Sequence, residues 1–356
     1  MKKQLLAALL CLCVLLATLF ACGQAKPAVA LALGSGYHSA LTAPDGTAWL
    51  WGENADGQLG NKTRQASTQP LRLLNFAQNA QVAVGGNHTV FLKKDGAVWV
   101  CGDNYEGQLG TPDVVRLIES PVQLKKLDAS MVAAGISYTA VLQKDGTVWG
   151  FGNNTKGQLG VGTPSPRFDI PVQARALKDI TAIAAQGYFT LCLTKTGEVW
   201  GMGLNAHSQL GGKPAEAVAT PRKIEGLTDI IAVAAGLNHS VFLKKDGTVW
   251  ALGQYSLEED DAAKPVQLQK NTKFAAIAAG LSHTFLLDRK GNPWYIGAAY
   301  DENEKGTVIS RAMQPGVKVV AIASGGKLSA FATRDGAIFT FTGANEPVRL
   351  IELPAK

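Results

Sequence analysis

Short apolar bursts separated by polar turns recur seven times along this chain. In the second copy a small-residue run, Val82-Ala83-Val84-Gly85, precedes the apolar run Val90-Phe91-Leu92. Polar Lys94-Asp95-Gly96 follows, and then Val98-Trp99-Val100. Brief apolar runs bounded by glycine and aspartate are the pattern of strands, and Asp-Gly between two of them marks a tight hairpin because it accepts positive φ cheaply. The hairpin glycine recurs as Gly46, Gly96, Gly146, Gly197, Gly247, Gly291 and Gly336, with spacings of 50, 50, 51, 50, 44 and 45. Three residues after each stands an aromatic: Trp49, Trp99, Trp149, Trp200, Trp250, Trp294 and, in the last copy, Phe339. A fixed period near 50 is the signature of a repeat architecture.

A fourth strand is read ahead of each set. Pro70-Leu71-Arg72-Leu73 begins one, and comparable segments begin at Pro121, Pro171, Pro221, Pro265 and Ser310, each 25 or 26 residues before its hairpin glycine. Four short antiparallel strands make one twisted sheet, and such sheets packed radially make a propeller. The predicted fold is therefore all-β, a seven-bladed propeller of four-stranded blades. The repeated aromatic supplies the apolar surface between neighbouring blades. The first copy lacks a preceding outer strand, whereas Pro347-Val348-Arg349-Leu350 stands unmatched at the far end. The expectation is that this C-terminal strand pairs in the N-terminal blade and closes the ring, removing sheet edges.

The loops after the aromatic strand are also repetitive. Gly57-Gln58-Leu59-Gly60, Gly107-Gln108-Leu109-Gly110, Gly157-Gln158-Leu159-Gly160 and Ser208-Gln209-Leu210-Gly211 follow Trp-x-x-Gly-x-Asn segments. In these motifs the chain resembles the regulator of chromosome condensation repeat family, over nearly its whole length after the leader. The last three copies lack Gly-Gln-Leu-Gly and have shorter loops. The resemblance implies a seven-bladed propeller. It implies no single activity, since the family spans nucleotide exchange factors for a nuclear GTPase, many bacterial and secreted members, and β-lactamase inhibitory proteins.

Composition and charge narrow the function. Of 356 residues, 17% are charged, 46% are hydrophobic and 39 are glycine, a folded strand-and-turn composition. Residues 1–21 read as an export signal: Lys2 and Lys3, then an uncharged apolar run from Leu5 to Phe20. Leu19-Phe20-Ala21-Cys22 resembles a lipobox, which makes Cys22 the expected lipid attachment site, with residues 22–28 a tether and 29–356 the propeller. Cleavage near Ala21 without a lipid, or an uncleaved anchor, are the alternatives. The expected location is the outer side of the cytoplasmic membrane or the outer membrane. Without Lys2 and Lys3 the formal charge falls from +6 to +4, and no Lys/Arg run exceeds two, so nucleic acid is not an expected partner. Cys101 and Cys192 occupy different repeat positions in blades two and four, and are expected to be buried thiols and not a disulfide.

The search for chemistry finds no enzyme. His38, His88, His239 and His283 share one repeat position, which Tyr138, Phe189 and Leu328 fill in the other copies, so it reads as a packing position. The glycines form no phosphate cradle, no Gly-x-Ser-x-Gly elbow exists, and metal-ligand spacings are absent. No cofactor or metal is expected. Asn54, Asn104, Asn154 and Asn205 open the long loops and read as turn chemistry. Glu53, Asp103, Tyr105, Asn153, His207 and Tyr255 are the candidate partner-binding residues on the loop-bearing face, tyrosine being the best anchor type. Glu258, Glu259, Asp260, Asp261, Asp301, Glu302 and Glu304 form a candidate acidic patch, either solvated or able to dock a basic partner or weakly hold Ca²⁺. The reading is an exported, lipid-anchored, monomeric scaffold that binds another protein, an inhibitor of a secreted or envelope enzyme being one specific version of that class. A glycan-binding module is the alternative, with Trp51 the one tryptophan outside the repeated position. A hydrolase or lyase over the channel would need converging carboxylates. A nucleotide exchange role conflicts with export.

Overall fold

A computed structural model describes residues 29–34, 36, 38–112, 116–163, 165–255, 262–298, 308–312, 318–342 and 347–352. The leader, Cys22 and both acidic runs lie outside them. Within this range the chain forms seven four-stranded antiparallel sheets, each built from four consecutive strands. The first blade comprises Ala30–Leu33, His38–Thr42, Ala48–Gly52 and Ser67–Arg72, from the axis outwards. The seventh comprises Val319–Gly325, Leu328–Thr333, Ala337–Thr342 and Val348–Glu352. No helix occurs among the described residues.

This topology corrects the expected ring closure. Each proline-bearing outer strand ends the blade before it and does not begin the blade after it. Leu71 pairs with Leu50 of the first blade. The C-terminal strand pairs with the third strand of its own seventh blade, Thr340 opposite Val348. Among the described residues no strand is exchanged between the chain ends. Closure is made by side chains instead: Val29, Leu31, Leu41 and Trp51 of the first blade share one core with Ala323, Ala330, Ala332 and Ile338 of the seventh.

The outer strands explain their prolines. Outer strands carry free edges, and five of them contain Pro70, Pro121, Pro171, Pro221 or Pro265. In each of these blades the pairing register slips beside the proline. A residue without an N–H is tolerated at an edge bulge, and it denies a foreign strand a donor. The sixth outer strand, Val308–Ala312, has no proline and pairs without a slip.

The repeated aromatics fill the seams. Trp99 packs with Leu50, Leu59 and Leu73 of the preceding blade, and Trp149 with Val90, Val100 and Leu109 of the second. Phe339 joins Phe285 and Tyr295 of the sixth in the same way. The indole stays partly exposed, and its Nε1 of Trp49, Trp149 and Trp250 donates to the threonine two residues earlier. That threonine in turn bonds the aspartate of the hairpin. The seven inner strands surround an axial channel of about 230 Å³, lined by alanine, valine and other aliphatic residues with Gln81, Gln186 and Ser324 the polar ones. A discontinuous ring of backbone bonds between the turns that follow these strands, such as Gly86 N to Ile136 O and Leu281 N to Gly326 O, ties blade to blade.

Candidate functional site

Antiparallel order gives the disc two unlike faces. One carries the Asp-Gly hairpins and the connectors between blades, here called the turn face. The other carries the turns after the inner strands and the long loops after the aromatic strands, the loop face.

The described parts of the long loops are held by hydrogen bonds written in their repeats. Asn54 Oδ1 accepts from Leu59 N at 2.9 Å, while its Nδ2 donates to the carbonyls of Thr63 and Gln65. Asn154 repeats this with Leu159 N, Thr163 O and Ser165 O. Each asparagine therefore staples a whole loop, and none of the four has a left-handed φ, so the expected short turn is replaced by a longer-range one. The glutamine that follows caps the turn, Gln58 Oε1 accepting from Asp56 N. Leu59, Leu109, Leu159 and Leu210 are buried plugs beneath.

The repeated histidines couple these loops to the next blade. Thr89 Oγ1 donates to the Gln58 carbonyl at 2.7 Å, so the His38 Nε2 only 3.0 Å from the same hydroxyl must be the donor to it. His88, Thr139 and Gln108 repeat the relay. At the same position Tyr138 reaches Thr190, whose hydroxyl lies 2.9 Å from the Gln158 carbonyl. Where Phe189 stands, Ser240 still bonds Gln209 O without an aromatic partner. Burial pushes the imidazole pKa down to about 3 in His38 and about 4 in His88 and His239. They are neutral joints, and Nδ1 of these three has no partner among the described residues. The packing reading of this position holds.

The six candidate binding residues diverge. Tyr105 is the exposed one among the aromatics, at 59%. Its ring lies 5.4 Å from the Arg116 guanidinium, and its carbonyl accepts from Arg167 Nη1 at 3.0 Å. Glu53 is exposed on the neighbouring blade, and His207 is half-buried. Asp103 and Asn153 are half-buried and spent on the loops: Asp103 accepts from Tyr105 N and Gln108 Nε2, and Asn153 from Thr155 N and Gln158 Nε2. Burial raises the Asp103 carboxyl, and these same hydrogen bonds pull it back. Tyr255 is corrected: it is only 7% exposed and packs in the core of the fifth and sixth blades, so it offers no surface. Its missing loop asparagine explains the error, since Tyr255 occupies the buried position that Asn205 fills one blade earlier.

Sequence reasoning missed Arg116 and Arg167, which flank Tyr105. They hold different repeat positions, Arg116 matching Pro166 and Arg167 matching Leu117, so the repeat gave no signal for either. Trp51 is buried in a strand and offers no stacking platform. Cys101 and Cys192 are buried and unbridged, and burial pushes the Cys192 thiol up to about 12 and Cys101 further. Among the described residues no three histidine, cysteine or acidic side chains converge to hold a metal.

A family model described as an RCC1-like domain matches residues 14–297. The fold of human WBSCR16 superposes with a TM-score of 0.73 at 22% identity, covering 85% of this chain and 86% of that one. Yeast RCC1 (Prp20), solved bound to Kap60, gives 0.73 at 20% identity over 85% and 83%. Prp20p of Saccharomyces cerevisiae, whose structure was described with its binding to Gsp1p and histones, gives 0.73 at 20% over 85% of each. Among curated proteins none matches.

Proposed function

We propose that this chain, which belongs to the RCC1-like domain family, is a protein-binding scaffold that engages its partner through the loop face. The observation that carries the reading is Tyr105. A large aromatic stands exposed on a loop immobilised by Asn104 and Gln108, between two arginines. Tyrosine and arginine in a pre-ordered setting are the residue types that dominate protein interfaces, because little side-chain entropy remains to be lost. Yeast Prp20 has been solved with a bound protein, which supports a protein partner for the shared fold without identifying one here. Further parts of the reading rest on sequence alone. The leader exports the chain, Cys22 carries a lipid on the outer side of the cytoplasmic membrane or in the outer membrane, and the propeller works as a monomer without catalysis.

The test is capture from solubilised envelope proteins by the propeller and by its Tyr105→Ala, Arg116→Ala variant. A protein held by the first and lost by at least about tenfold from the second supports the scaffold, as hot-spot truncations of this kind cost about 2 kcal/mol or more. Equal capture by both would remove Tyr105 as the anchor. Mass analysis of the mature N-terminus decides lipidation separately.

A further inference from the structure

The hairpin residue two before each glycine is basic in six of seven blades: Lys94, Lys144, Lys195, Lys245, Arg289 and Arg334. All six are exposed, and antiparallel pairing puts every one on the turn face. Turn chemistry demands the glycine and favours the aspartate beside it but does not require a cation, although Lys144 Nζ and Arg289 Nη2 also donate to the Asp95 and Lys245 carbonyls of the preceding hairpin. The adjacent carboxylates are engaged within their own turns, Asp95 accepting from Ala97 N, and Asp145 and Asp246 from the N–H and hydroxyl of Thr147 and Thr248. Lys144 also pairs with Asp128, and Lys273 with Asp246.

The charge is segregated between the faces. The four-residue turns ending at the seven glycines carry a formal +3. The connectors at 73–78, 124–128, 174–179, 224–229 and 269–273, with Lys318, carry another +3. The chain from Cys22 onward carries +4 in all, so +6 on these segments leaves −2 for everything else. Leu74, 75% exposed, adds an apolar side chain on a connector of the same face, beside the first hairpin.

The chain enters the propeller on this face as well. Ala30 pairs with Thr42 at the hairpin end of the first blade, so Val29 lies beside the first turn. That is the one blade whose turn has a proline, Pro44, in place of the cation. Residues 22–28 can span at most about 25 Å when fully extended. A membrane attached at Cys22 would therefore lie against the lysine-bearing face and not the loop face.

We propose that the turn face is a docking surface for an anionic lipid bilayer, holding the propeller flat with its loop face turned outward. The orientation rests on the export and anchoring of residues 1–28 proposed above; the surface itself does not. A ring of six cations spread around a disc matches a planar, diffuse negative charge, and it attracts without needing a pocket. Such docking would leave Tyr105 and its arginines facing away from the membrane, where a protein partner can reach them.

The test uses residues 22–356 carrying Cys22→Ser. This is a closed ring whose first and seventh blades share a core, so it contains the whole folding unit. It is sedimented with vesicles of phosphatidylcholine alone or of phosphatidylcholine with phosphatidylglycerol. Binding is expected on the anionic vesicles only, weakening by about tenfold or more as salt rises and screens the surface potential. Replacing the six cations by serine should abolish it. Replacing Lys62, Arg64, Lys156 and Lys213, which belong to the long loops, should leave it intact. If the six-fold variant does not fold, two three-fold variants (94, 144, 195 and 245, 289, 334) should each lose part of the binding. Binding to neutral vesicles, equal loss in the loop variant, or tighter binding to duplex DNA than to anionic vesicles would overturn the proposal. An unmodified Cys22 in the native host would sink the anchor while leaving the vesicle result standing.

Discussion

A buried imidazole joins one blade to the next here, and its chemistry predicts how the protein responds to acid. His38, His88, His239 and His283 are held neutral, with pKa values lowered to about 3 or 4, chiefly by burial. In the unfolded chain they would titrate near 6.5. Above that pH neither state binds the proton, and stability is unaffected. As pH falls from 6.5 towards 4 only the unfolded chain takes it up, so stability drops by about 1.4 kcal/mol per pH unit for each imidazole. His88→Phe copies the arrangement already present at Phe189. It should flatten the pH dependence by one proton's worth in urea unfolding measured between pH 7 and 4.5. An unchanged slope would show that His88 titrates normally in the fold. Asn154 supports a second residue-level prediction. Its replacement by alanine strands the buried Leu159 N–H, which should cost about 1–3 kcal/mol and open the 154–166 loop to protease.

Individual strands are stabilised mostly by what they cover. Trp149 lies on a seam against the second blade, and Trp149→Ala should lower stability by about 2–3 kcal/mol, below the full cost of a wholly buried tryptophan because the indole is partly exposed. Deleting residues 347–356 removes the outer strand of the seventh blade. It uncovers the Ala337–Thr342 edge and strips Leu350 and Ile351 from the core shared with the first blade. The melting temperature should fall well beyond the effect of an ordinary tail deletion, and an unchanged value would mean the strand contributes nothing to the seam. The strands themselves were legible in the sequence, because alternation, Asp-Gly turns and the aromatic three residues later are local signals. Which blade each outer strand joins was not legible. The sequence spacing from Pro70 to either neighbouring set permits both pairings, and only the hydrogen bonds of Leu71 with Leu50 decide.

On the scale of the whole molecule, the ring closes through packing, and at the seam backbone approaches backbone closely. A Cβ on Gly325 would come within 2.0 Å of the Leu33 carbonyl oxygen in the first blade. Gly325→Ala should therefore force the two end blades apart, costing about 1–3 kcal/mol as other overpacking changes do. Limited proteolysis should then release fragments from the chain ends first; a protease pattern like that of the parent would refute the seam. The candidate site shows the same division as the fold. Glu53, Asp103, Tyr105, Asn153 and His207 could be placed on the loop face from repeat position alone. Burial separated Tyr105 from Asp103 and Asn153, whose side chains serve their own loops, and removed Tyr255 altogether. Local pattern determined the number of blades, the hairpins and the identity of the packing positions, since each depends on residues near one another in the chain. The assignment of outer strands, the closure of the ring and the exposure of each tyrosine belong to the tertiary structure, because they depend on which surfaces meet across one or more repeats, and that is set by packing that no short stretch of sequence contains.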